Sequence, residues 1–205
     1  MRTNTNLLFK LPSLLLIAIF TFGCADSFSQ EFGVTKDENK PEKQVDPVIY
    51  WNVKAYRGES ELLDIKAIDK YGKRYDVKAI QDSDDISILN VKALVDGERL
   101  AVKVLVRGEE DKFYPVKAID GDGNILNIKA IAKDGEIFDV KGFSRSGNLM
   151  HLRAISKDYK YYNIIALSPQ GQVNAVKGVK MMEEEVETVY KGIEIYAHIK
   201  ALGHY

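Results

Sequence analysis

Tyr75-Asp76-Val77-Lys78-Ala79-Ile80 alternates so strictly that Tyr75, Val77 and Ala79 share one face of an extended chain and Asp76, Lys78 and Ile80 the other. Its β-branched and aromatic residues favour a strand. The stretch is one copy of a repeat. Aligned on the lysine of Val-Lys-Ala-Ile, the copies centre on Lys54, Lys66, Lys78, Lys92, Lys103, Lys117, Lys129, Lys141, Arg153, Ile165, Lys177 and Lys200. The spacings are 12, 12, 14, 11, 14, 12, 12, 12, 12, 12 and 23 residues. The last interval holds a degenerate copy near Val189, which makes about 13 units between Val48 and Leu202.

Turn signals separate the copies, as in Asp69-Lys70-Tyr71-Gly72-Lys73 and Ser168-Pro169-Gln170-Gly171-Gln172, which read as type I turns closed by a left-handed glycine. A loop at Lys70–Gly72 sets Lys66 opposite Asp76, Ala67 opposite Tyr75 and Ile65 opposite Val77. The shortest copy carries Asp96-Gly97, a two-residue hairpin signature, and stepping back from it sets Val91 opposite Val102. The shorter loop leaves the register intact. A one-residue slip would turn every side chain to the wrong face, so this compensation argues for antiparallel hairpins. Lys78 opposite Asp64 is a second expected ion pair. Glycine recurs in alternate loops (Gly72, Gly97, Gly123, Gly147, Gly171, Gly192), whereas Asp82–Asp85, Arg107–Asp111 and Met181–Glu185 are irregular and mostly acidic. That alternation predicts a hairpin unit of about 24 residues with a tidy end and a variable end.

The expected fold is all-β, an antiparallel up-and-down meander of about 12–13 short strands forming a barrel or a folded two-layer sheet. Its core face comprises Leu63, Val77, Val91, Val116, Ile128, Phe138, Val140 and Leu152, with alanine or glycine opposite them.

Arg2 and Lys10 precede an apolar run from Leu11 to Phe22, the layout of a secretory signal peptide. The run falls short of the roughly 20 apolar residues that a spanning helix needs. Cys24, the only cysteine, follows directly, and Thr21-Phe22-Gly23-Cys24 resembles the lipobox of Gram-negative bacterial lipoproteins. Gly23 fits that pattern, while Thr21 and Phe22 depart from it. The resemblance implies lipidation of Cys24 and a membrane partner through the anchor. The alternative is ordinary cleavage that removes the cysteine and leaves a secreted or periplasmic soluble protein. The organisation is then 1–24 signal peptide with lipobox, 25–47 flexible polar tether and 48–205 β-repeat domain.

Across its 205 residues, 29 Lys and Arg balance 30 Asp and Glu, and a net charge of -1 offers no bulk field for nucleic acid. Function must come from arrangement. The outward face carries the lysines, and Lys117, Lys129 and Lys141 lie on three consecutive strands where acids are scarce. At strand spacing they form a stripe, and they are the candidate polyanion-binding residues. His151 and His198 occupy the Asp or Asn position of the repeat, and His204 lies in the tail, without metal-ligand spacing. Asp120-Gly121-Asp122-Gly123-Asn124 resembles a calcium loop but lacks its later glutamate. No catalytic residue, metal or cofactor is expected.

The tandem Val-Lys-Ala-Ile texture resembles uncharacterised repeat lipoproteins of the Bacteroidetes type. That resemblance implies an outer-membrane, cell-envelope location and a β-rich fold, and no activity or site residues. The expected function is a non-catalytic envelope lipoprotein, a binding or scaffold module that presents its lysine-rich face and acidic loops to an anionic envelope glycan or another envelope protein. Two alternatives stand beside it: a lipid or apolar-ligand carrier, should the sheet close into a barrel, and a purely structural spacer.

Overall fold

The computed structural model describes residues 47–58, 62–144, 147–180 and 189–203. The signal peptide with Cys24, the tether as far as residue 46, the loop from Met181 to Glu185 and His204 lie outside them. The strands are β1 (Ile49–Tyr56), β2 (Leu63–Ile68), β3 (Arg74–Gln81), β4 (Ile88–Val95), β5 (Glu98–Leu105), β6 (Tyr114–Ile119), β7 (Ile125–Ile131), β8 (Ile137–Ser144), β9 (Leu149–Ile155), β10 (Tyr161–Leu167), β11 (Val173–Lys180), β12 (Val189–Tyr190) and β13 (Ile193–Leu202). The fold is all-β and every pairing among them is antiparallel.

How the strands close follows from where their ladder hydrogen bonds go. Apart from the two-residue β12, which pairs with Ile193 and Glu194 at the start of β13, each strand gives one edge to a single long strand, producing the ladders β1–β10, β2–β7, β3–β4, β5–β6, β8–β9 and β11–β13. Its other edge is divided between two strands. In β7, Asn127 lies between Lys117 and Ile68, and Lys129 lies between Asp139 and Lys66. β6 and β8 therefore occupy successive halves of the edge that faces away from β2. The divided edges group the strands into four triads, β1–β2–β3, β4–β5–β13, β6–β7–β8 and β9–β10–β11, each closed on itself. Four junctions linked pairwise by six ladders have the connectivity of a tetrahedron. Like a barrel, this closure leaves no ladder edge of the twelve strands open; unlike one, it branches at every junction.

Junction and ladder together explain the alanine of the repeat. Ala79 faces Trp51 across its junction and Val91 across its ladder, and Ala67 faces Tyr75 and Ile128 in the same way. A residue wedged between two large side chains must be small, and both alanines are fully buried. The predicted core residues Leu63, Val77, Val91, Val116, Ile128, Phe138, Val140 and Leu152 are all buried in one continuous cluster. Each such side chain contributes roughly 1.5 to 3 kcal/mol.

Three strands break the alanine rule, and their neighbours compensate. β5 carries Val104, and the residue opposite it across the junction is Ala197 rather than a large one. Gly142 and Gly178 sit opposite Tyr114 and Met150. A Cβ on Gly178 would lie 3.1 Å from the Cβ of Met150, 3.3 Å from that of Ala197 and 3.4 Å from Cγ2 of Val104. Two of these atoms are fixed by backbone, so Gly178→Ala, although it restores the alanine of the other strands, should destabilise by roughly 1 to 3 kcal/mol. A double-mutant cycle with Ala197→Gly in urea melts should return a coupling of at least about 0.5 kcal/mol in favour of the pair. Additive effects would show that the site is not crowded.

The tight-turn registers are as expected: Lys66 faces Asp76, Ala67 faces Tyr75, and Asp96-Gly97 turns with φ of 47° and 92° between Val95 and Glu98. Further from the turns the strands part. β2 and β3 separate before Ile65 meets Val77, and β4 and β5 separate after Lys92 meets Ala101, short of Val91 and Val102. Lys78 does not face Asp64. It faces Asn52, and Asp64 takes Lys54, because β1 closes the triad between them. Nor do tidy and variable turns alternate. Tight turns follow β2, β4, β6, β7, β9 and β10, where the next strand belongs to the same junction, and the two acidic loops among the described residues cross to another junction. The 12-residue repeat of one strand and its connection, not a 24-residue hairpin, is the structural unit.

Candidate functional site

The outward side chains at each junction follow one cyclic rule: the lysine of each strand faces the residue two places before the lysine of the next. In the β1–β2–β3 junction Lys54 pairs with Asp64, Lys66 pairs with Asp76, and Lys78 donates to Asn52 at 2.7 Å. The carboxyl of Asp76 is held below its ordinary range, first by the hydrogen bond from Lys66. Such half-exposed pairs contribute about 0.2 to 1 kcal/mol each. Three cations and two carboxylates leave this junction at +1.

Across each ladder, by contrast, lysine meets its own kind. Lys66 faces Lys129, Lys78 faces Lys92, Lys103 faces Lys117, Lys141 faces Arg153 and Lys177 faces Lys200; only Lys54 faces an apolar residue, Ile165. Like charges directly opposite one another are unfavourable. Acids or anions at the junctions relieve that repulsion.

The predicted residues Lys117, Lys129 and Lys141 come together at the β6–β7–β8 junction, facing Asn127, Asp139 and Pro115. Asp139 pairs with Lys129. Burial works to raise the Asp139 pKa and is outweighed by that bond and by the charges of Lys129, Lys141 and Lys117. Three cations and one carboxylate leave +2. The lysines do not form the single stripe expected, because each strand's divided edge turns them around a three-fold axis instead of along one sheet. At the β9–β10–β11 junction Ile165 and Ala175 replace the charged pair, and His151 lies 3.1 Å from Lys177. Beside Ile165 runs an apolar groove lined by Tyr56, Leu62, Leu167, Val173 and Ala175.

The β4–β5–β13 junction is the most basic. Lys92 faces Ala101, Lys103 faces His198 and Lys200 faces Asn90, so three cations meet no carboxylate among the facing positions and the sum is +3. Burial, then the charges of Lys92 and Lys200, lower the Lys103 pKa to about 8. Burial, then Lys103, Lys200 and Lys92, push His198 down to about 4, so its neutral ring accepts the Lys103 ammonium on Nδ1. Lys92 is lowered by burial and by Lys200. Sequence reasoning placed His198 in the right repeat position but missed this site, whose third lysine lies on β13, far along the chain from β4 and β5. The available signal was the acid-free set Asn90, Ala101 and His198, each two residues before a lysine.

The calcium-like loop uses Asp120 as a turn cap: its Oδ1 accepts the N–H of Asp122 at 2.9 Å and of Asn124 at 2.8 Å. Among the described residues no group of three or more His, Cys, Asp or Glu is placed to hold a metal ion.

A family model spans residues 47–202, from the residue before β1's approach to the last residue of β13. The chain belongs to DUF7486, a family of unknown function. The DUF7486 domain thus coincides with the closed shell, all four junctions included. No curated protein and no solved structure matches the chain.

Proposed function

We propose that this DUF7486 protein is a non-catalytic cell-envelope lipoprotein, anchored through Cys24, that holds an anionic envelope polymer against its basic junctions. The observation that supports the reading is the uneven placement of acids. The domain carries like-charged pairs across five of its ladders, four of them lysine on lysine, yet the junctions step from +1 to +3 instead of being neutralised. A purely structural shell gains nothing from such an imbalance, whereas a partner with several negative charges relieves it. The envelope location and the lipid anchor rest on the lipobox resemblance and the repeat texture.

The test compares the protein with a Lys117→Gln, Lys129→Gln, Lys141→Gln variant on an immobilised anionic glycan across a salt series. Wild type should bind at low salt and release steeply as salt rises, because exposed charges are screened within about 8 Å at physiological ionic strength. The variant should release at clearly lower salt with its melting temperature within a few degrees of wild type. Equal elution of both proteins at every salt concentration would remove the reading.

A further inference from the structure

We propose that the β4–β5–β13 junction is a discrete receptor for one phosphomonoester group, with Lys92, Lys103 and Lys200 each facing one of its three terminal oxygens and His198 and Asn90 fixing two of the lysines. The inference deepens the function proposed above and rests on it for the biological source of the anion.

The junction joins three strands cyclically, so its lysines occupy the same repeat position on each of them, β13 carrying an irregularity between Ile195 and Ala197 beside the contact with β5. A terminal phosphate presents three equivalent oxygens and close to two negative charges at neutral pH. A carboxylate offers two oxygens and one charge, and matches neither the three-fold donor set nor the charge of +3.

Nδ1 of His198 accepts from Lys103 and Oδ1 of Asn90 accepts from Lys200, and each uses one N–H of an ammonium that carries three. Both lysines are thus oriented without losing their capacity to donate. The two orienting groups are neutral, so neither takes up the charge that an anion would answer. At the equivalent place in the β1–β2–β3 junction, Asp64 and Asp76 neutralise two of the three lysines. The four junctions share one backbone plan, and the side chains two places before each lysine decide whether a junction is filled internally or left for an outside anion.

The environment strengthens the case. Lys103 and Lys92 are partly withdrawn from water, and a bound anion is attracted more strongly there than on an open surface. Facing Lys103 and its partners from the adjoining strands are Lys117 on β6, Lys177 on β11 and Lys78 on β3, the last with Asp76 3.3 Å from its ammonium, together with His198 and Lys200 on β13 and Lys92 on β4. A bound dianion raises the Lys103 pKa. Below pH 8 Lys103 is already charged and binding needs no added proton; as pH rises through 8, binding must take one up and weakens. A phosphomonoester loses its second proton near pH 6, so affinity should be greatest between about pH 6 and 8.

The experiment is titration calorimetry of the purified protein with inorganic phosphate, with acetate as the comparison anion, run with Lys103→Gln and with Lys66→Gln at the acid-filled junction. Sedimentation with phosphatidylcholine vesicles, plain or containing phosphatidic acid, forms a second arm. Phosphate should bind saturably at one site, at least tenfold more tightly than acetate. Lys103→Gln should weaken it at least tenfold and Lys66→Gln less than twofold, both variants melting near wild type. At pH 8.5 the heat should vary with buffer ionisation enthalpy, reporting proton uptake. Sedimentation with phosphatidic acid vesicles, lost in Lys103→Gln, supports the inference with a lipid-borne phosphate as source; phosphate binding without it supports a soluble one. The inference is overturned if phosphate does not saturate, or if Lys103→Gln and Lys66→Gln weaken it equally. Tight phosphate binding with no glycan retention keeps the junction and removes the polymer reading, and glycan retention indifferent to Lys103→Gln does the reverse.

Discussion

Deleting residues 193–205 is expected to abolish cooperative unfolding. β13 pairs with β11 along one edge, divides the other between β4 and β5, and also holds β12, so its loss strips four strands of partners at once. It also removes Ile195, Ala197, Ile199 and Ala201, all buried, and opens the core beside Val104 and Val176. Burial of the two isoleucines alone accounts for about 3 to 6 kcal/mol. Cavity and unsatisfied ladder groups add to it, against a total stability of about 5 to 15 kcal/mol for a domain. Circular dichroism melts of the truncated protein should show no sharp transition, and size exclusion should show expansion or association. A retained sharp melt would mean that β4, β5 and β11 close without β13.

The second large effect is expected from Val140→Asp set beside Lys141→Asp. Val140 is 4% exposed and faces Ala154 inside the shell, while its neighbour Lys141 points outward. A carboxylate at position 140 has no partner among the core side chains and costs several kcal/mol, enough to unfold the domain or drive it into inclusion bodies. At position 141 the same residue meets Lys117, Lys129 and Arg153 and should leave the melting temperature within a few degrees. If both variants unfold, or neither does, the alternation of faces is wrong.

These expectations draw on parts of the fold that were legible to different degrees. Strand identity, the buried face and the register beside each tight turn could be read from local pattern, since Asp96-Gly97 and the alternation around Val77 are chemical instructions acting over a few residues. The non-local ladders could not. β1 pairs with β10 and β2 with β7 across long stretches of chain, and the repeats that meet there are so alike that Lys66 has no local reason to lie beside Lys129 in preference to another lysine. The deciding information is global: twelve strands must each satisfy two edges around one core. The candidate site divides in the same way. Lys117, Lys129 and Lys141 were found together because consecutive tight turns hold β6, β7 and β8 in one junction, whereas Lys92 and Lys103 meet Lys200 only because the last strand returns to β4 and β5.

The branching closure also bears on how such a chain can change over generations. A solenoid gains or loses a repeat and remains a solenoid, because each unit stacks only on the next. Here a duplicated 12-residue segment would find every edge already occupied, and the extra strand would lie outside as an unprotected, association-prone ribbon. Deleting a segment would open one junction and one ladder together. The closure thus constrains copy number, and it leaves two places where substitution disturbs neither core nor ladder: the loops that pass between junctions, and the residues two places before each lysine. The second place sets, one junction at a time, how much positive charge the surface shows.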